Sequence, residues 1–214
     1  MHYKIIHTAF VIFILIATFP LNSQELTEQG WTLEKNRRGV QVYTRPIIGS
    51  KLKEYKAFVS IKTDIEKVVL VLQDAENYSS WMVNLRKAKT ITKISDTEQY
   101  VYSFGSLRWP FNKRDIISHI TVYWSENKDT VNITSLGTPD YIPEQTGVLR
   151  VQKSGGIWHI YQKDERTIKV EETFNADPGG SVPCWVVNIF AIEGLYKTLS
   201  NLKEYLEDQQ KPCN

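Results

Sequence analysis

The chain has 214 residues, 42% of them hydrophobic, with 26 Lys and Arg against 24 Asp and Glu for a formal net charge of +2. A near-neutral chain without a basic block cannot neutralise a phosphate backbone in bulk, which excludes nucleic acid as a partner class. The length suits one domain with a sizeable core rather than two.

The N-terminus carries Lys4 and then a stretch from Ile5 to Phe19 that holds no Lys, Arg, Asp or Glu. That stretch is shorter than the ~20 residues a bilayer-spanning helix needs, and Pro20 and Asn22 follow at once, so it reads as a signal peptide. Leu21-Asn22-Ser23 offers a small residue at the cut, giving a signal peptide over 1–23 and a single domain over 24–214. Removing the segment takes one lysine and no acid and lowers the formal charge to +1. The expectation is an exported protein, periplasmic or secreted.

Val40 to Arg45 and Lys53 to Ile61 read as strands joined by a turn at Ile48-Gly49-Ser50. Thr63 or Asp64 can cap a helix through Ile65, Val68, Val69 and Leu72, and a second short helix is expected over Glu76 to Met82. Seven further strands follow: Ala88 to Ile94, Gln99 to Gly105, Asp115 to Trp124, Thr130 to Leu136, Gly147 to Lys153, Ile157 to Lys163 and Thr167 to Asn175. With no helix between them, they predict an antiparallel meander.

Asp177-Pro178-Gly179-Gly180 is a turn, Ser181 can cap and Pro183 suits a first helical turn, so a helix is expected from Pro183 to Asp208. Its stripe is Ile192, Leu195, Leu199, Leu202 and Leu206, and its first half is apolar nearly all round, which predicts burial on more than one side. The fold class is α+β: a large antiparallel sheet that curls around one long C-terminal helix. Cys184 and Cys213 flank that helix, tens of Å apart at ~1.5 Å per residue, and are expected to be unpaired.

No catalytic pattern is present: no Gly-x-Ser-x-Gly elbow, His-Glu-x-x-His, phosphate-binding glycine loop or Cys-x-x-Cys. Asp115 and His119 share a strand face at ~13 Å, too far apart for a dyad, and His119 and His159 are expected to be structural. Glu171-Glu172 reads as a strand edge with one solvated carboxylate, and Glu193 as a helix residue paired with a lysine or exposed.

Four segments in order carry a family resemblance: Tyr78-Ser79-Ser80-Trp81, Trp109 through Asp115, Pro143 through Arg150, and Asp177 through Asn188. Over residues 31–208 the chain resembles a START domain, the StAR-related lipid-transfer family. The resemblance implies the helix-grip fold and a lumen holding one lipid or similar apolar molecule. It also implies a gate made by Trp109 and Phe111, on the 107–114 loop, against the C-terminal helix. Arg114 and Asp115 would fix that gate by pairing with each other or with loop carbonyls. Where sterol-binding members place a charged pair, this chain has Val101 and Ile120, which argues against that type of sterol site. Alternation from Ile120 puts Ile116, Ser118 and Val122 on the same lumenal face, with Ser118 a polar contact.

The expected function is therefore that of an exported, monomeric, non-enzymatic carrier without a cofactor or metal, which meets membrane surfaces transiently. Its expected ligand-binding residues are Val101, Trp109, Phe111, Ile116, Ser118, Ile120, Trp185, Asn188, Ile189 and Ile192. Two rivals stand beside it: a small-molecule enzyme using the same kind of pocket, and a protein-interaction module with a filled lumen.

Overall fold

The computed structural model describes residues 27, 29–106 and 113–208. The signal-peptide segment, the loop carrying Trp109 and Phe111, and Cys213 lie outside the described residues. Ten strands form one sheet: β1 (Thr32–Arg37), β2 (Val40–Pro46), β3 (Lys53–Ile61), β4 (Leu85–Lys93), β5 (Glu98–Ser106), β6 (Lys113–Trp124), β7 (Thr130–Gly137), β8 (Leu149–Arg150), β9 (Lys153–Asp164) and β10 (Thr167–Asp177). Their spatial order is β1-β2-β3-β10-β9-β7-β6-β5-β4, antiparallel throughout, with β8 paired in parallel to β6. Among the described residues two α-helices pack with the sheet, α1 (Ile65–Gln73) and α2 (Cys184–Asp208), with a 3-10 turn at Ala75–Ser80.

Period-two alternation sets the two faces. On β3, Tyr55, Ala57, Val59 and Ile61 are buried on the inner face, while Phe58 points outward to a small cluster with Trp31 and Tyr43. The Tyr43 and Phe58 rings meet edge to face, 5.7 Å between centroids. β1 escapes the sequence pattern because most of its side chains are exposed and it shows no apolar alternation.

α1 buries Ile65, Val68, Val69 and Leu72 as its spacing predicts, but neither Thr63 nor Asp64 caps it through a side chain. Asp64 holds the N-cap position and spends its carboxylate on Lys67, 2.8 Å away. The short helix expected over 76–82 is the 3-10 turn. Its Tyr78 hydroxyl donates to the Leu72 carbonyl, and the fully buried Trp81 ring lies edge-on to both Tyr78 and Trp158.

The strand expected over 147–153 shrinks to β8, because Arg150 is used as a clamp. Its Nε and Nη2 donate to the two Asp115 carboxylate oxygens at 2.8 and 3.0 Å, with both side chains essentially inaccessible. Its remaining donors reach the carbonyls of Pro139, Ile142 and Pro143. The segment between β7 and β8 is thereby pinned behind β6. Asp115 is committed to Arg150, so it does not pair with Arg114. Arg114 instead donates to the carbonyls of Pro178 and Gly179 at 2.8 and 3.2 Å.

α2 begins one residue after Pro183, whose carbonyl accepts from Val186 and Val187. Gly179 and Gly180 just before it both have positive φ, 65° and 71°, a turn that L side chains resist. The second half of α2 buries Leu195, Tyr196, Leu199, Leu202 and Leu206 in the core with β2, β3 and α1. Cys184 is half-buried and unpaired.

Candidate functional site

The first half of α2 lies over a cavity of about 400 Å³. One wall is the helix itself, through Val187, Phe190, Ala191, Gly194, Leu195 and Thr198. The opposite wall is the concave sheet, and Tyr78, Met82 and Leu85 close a side. Space survives here because the inner rows of the sheet carry small groups. In register, Val101 faces Ser118, which faces Gly137, while Ile120 faces Ser135, which faces Gly156. At Gly137 a Cβ would stand 3.0 Å from the Ser154 carbonyl oxygen and 2.6 Å from its hydroxyl, so a larger residue would have to displace Ser154.

Four of the expected residues meet at this cavity: Val101, Ile116, Ser118 and Ile120 all line it. Val122 shares their face but is buried in the adjoining packed core. The four expected α2 residues do not line it. Trp185 and Ile189 are 67% and 53% exposed, Ile192 packs half-buried against the core, and Asn188 accepts a 2.6 Å bond from the Tyr55 hydroxyl. At about 100° per residue, positions 185, 189 and 192 lie opposite the face defined by 187, 190, 191 and 194. The all-round apolarity of this half therefore does not correspond to burial on several sides.

The Tyr55–Asn188 bond ties helix to sheet beside the cavity, and burial pushes the Tyr55 hydroxyl up to about 12. Glu193 is on the outer face and pairs with Lys35 at 2.5 Å, in line with the lysine pairing expected of it. His119 bonds Glu98 at 2.7 Å and stacks on Tyr100, and His159 bonds Asn132. Neither histidine lines the cavity.

Glu172 is the residue that the sequence reading misplaced. It is not at a sheet edge: β10 is central, with Glu172 between Ala57 of β3 and Trp158 of β9. Glu171, on the other face, pairs with Lys56 at 2.6 Å. Glu172 lines the cavity, is 9% exposed, and its Oε2 has no hydrogen-bond partner. Burial raises its carboxyl from 4.5 to about 8. The signal was available: Ile168, Val170, Glu172 and Phe174 alternate on one face, which sets an acid in an apolar row.

The cavity thus offers mostly apolar walls, four serine hydroxyls (Ser103, Ser118, Ser135 and Ser154) and one buried carboxyl, with Asn84, Arg114 and Thr198 also in its lining. Among the described residues no His or Cys lines it, and no His, Cys, Asp and Glu cluster is arranged to hold a metal ion. A serine without a base beside it is a hydrogen-bonding group rather than a nucleophile.

The family model for the START domain matches residues 21–211. Among solved structures, the STAR-related lipid transfer protein from Xanthomonas axonopodis superposes with a TM-score of 0.78 at 33% identity, covering 83% of this chain and 99% of that one. The protein PA1579 of Pseudomonas aeruginosa is 31% identical over 89% of this chain and 93% of its own. Phosphatidylcholine transfer protein of Mus musculus is 24% identical over 90% of this chain and 88% of its own.

Proposed function

The chain belongs to the START domain family, and on that premise we propose that it is an exported carrier holding one apolar small molecule between the sheet and α2. The observation that carries this reading is the cavity itself: a hollow in the layer that in an ordinary α+β domain would be filled core. A filled lumen, which a protein-interaction module would have, does not fit that hollow. The lining supplies burial for an apolar body, worth ~25 cal/mol per Å² removed from water, and a few hydroxyls to orient it. No histidine lines it and its one buried carboxyl, Glu172, is bonded to none of those hydroxyls, which favours a carrier over an enzyme.

At about 400 Å³ the cavity lies toward the lower end of the ~300–1,000 Å³ usual for drug-sized ligands. We read that size as one compact or single-tailed molecule. A two-chain phospholipid, which the name of the mouse relative suggests for that protein, would need the walls to move. The cargo would pass α2 and the 107–114 loop, acting together as a gate, during transient contact with a membrane surface. The N-terminal segment supports export to the periplasm or medium.

Organic extraction of the purified chain followed by mass spectrometry should recover one small apolar molecule per protein, matched by a mass increment in native spectra. Gly156→Leu projects a side chain into the hollow from a position where a Cβ meets only ordinary contacts. It should abolish cargo retention while the protein stays folded. A variant that retains cargo unchanged would show that the cavity is not the binding site.

A further inference from the structure

Among the described residues that line the cavity, one buried group has no protein partner. Glu172 sits mid-strand in a central strand, its cross-strand neighbours Ala57 and Trp158 offer its carboxyl no bond, and its Oε2 is buried without a partner. The Tyr55 hydroxyl, two residues away along β3, is already donated to Asn188. Leaving a buried polar group unpaired is costly, and one that lines a cavity calls for a partner in whatever occupies that cavity. Beside it, Gly156 faces Phe174 on the neighbouring rung and adds no side chain, which leaves room against the carboxyl.

We propose that Glu172 is the polar anchor of the cargo site and receives a hydroxyl group carried at one end of an otherwise apolar molecule. This assignment rests on the cavity being the cargo site. The chemistry follows from the state of the group. Burial holds its proton through neutral pH, so the carboxyl presents one donor and one acceptor, the same complement that a hydroxyl presents in return. A quaternary or primary ammonium would require the ionised form, and a ligand lacking any polar group would leave Oε2 unpaired. The anchor also selects orientation, since the hydroxyl end must lie against Trp158 and the apolar remainder along the serine and glycine rows.

Equilibrium dialysis with 1-dodecanol, 1-chlorododecane and dodecylamine tests this on the wild-type protein, Glu172→Gln and Glu172→Leu, with Glu172→Met replacing Leu if that variant does not fold. The wild type should prefer the alcohol to the chloride by about tenfold, the worth of one buried hydrogen bond. Glu172→Gln, which keeps a donor and an acceptor, should retain the preference. The apolar variant should lose it while binding the chloride as well as before. An unchanged preference in the apolar variant, or tight amine binding abolished by Glu172→Gln, overturns the hydroxyl assignment alone. Failure of the wild type to bind any of the three probes overturns the carrier reading and this assignment with it.

Discussion

One helix lies across one sheet, yet its two halves meet different surfaces. From Leu195 to Leu206 the α2 residues Leu195, Leu199, Leu202 and Leu206 are buried against β-branched rows from β2, β3 and β10. From Cys184 to Gly194 no residue reaches that level of burial, and the sheet opposite shows Ser118, Ser135, Gly137 and Gly156. The lesson is that side-chain size on the inner rows of the sheet, not helix hydrophobicity, decides where the layer closes. A hollow half can persist because it is braced from outside, through the Arg150–Asp115 clamp behind β6, and held in register by the filled half.

Breaking the brace should have the largest effect. Arg150→Leu leaves Asp115 charged and buried, with three carbonyls unpaired, and should cost ~3–5 kcal/mol in urea unfolding. Leu199→Ala, in the filled half, should cost ~2–5 kcal/mol, whereas Val187→Ala over the cavity should cost well under ~1 kcal/mol because little is packed against it. Equal losses at the two positions would mean that the hollow half is filled in solution.

Glu172 gives the comparison a pH axis. Its folded-state carboxyl titrates near 8 against 4.5 unfolded, so between those values the folded protein holds a proton that the unfolded chain has released. Stability should therefore be fully present below 4.5 and fall by up to a few kcal/mol as pH rises to about 8. Glu172→Gln should flatten that slope and raise the melting temperature at pH 8. A slope that survives in the variant assigns it to other groups. A small effect is also expected on the outer side of α2, where Lys35→Ala removes the pair with Glu193 and the ammonium lying over the Tyr196 ring, for ~0.2–1 kcal/mol from the ion pair, diminished further by salt.

Most of the architecture was legible because it rests on periodicity. The strands from Val40 to Asn175 alternate with period two, α1 and α2 step in threes and fours, and the motif words fixed their order. β1 was not legible, since a strand with mostly exposed side chains carries no hydrophobic signature. Within the site, Val101, Ile116, Ser118 and Ile120 followed from alternation along β5 and β6. The helix wall did not, because in a segment apolar on every side periodicity cannot say which side turns inward. The pattern there allows Trp185 and Ile189 to turn inward as readily as Val187, Phe190 and Gly194, which are the residues that line the cavity. Glu172 was missed for a different reason: alternation puts Glu171 and Glu172 on opposite faces, but only the strand order, which has no local signal, makes β10 a central strand rather than an edge.

The division of α2 into a packed half and a hollow half also bears on how such a chain can diverge. Folding is secured mostly by residues away from the cavity, which leaves the serines of the inner rows and Gly156 largely free of that duty. An exchange such as Ser135→Val or Gly156→Ala redraws the interior while the leucine seam and the arginine clamp keep the container standing. The interior can therefore be reshaped one small residue at a time, without first passing through an unstable intermediate.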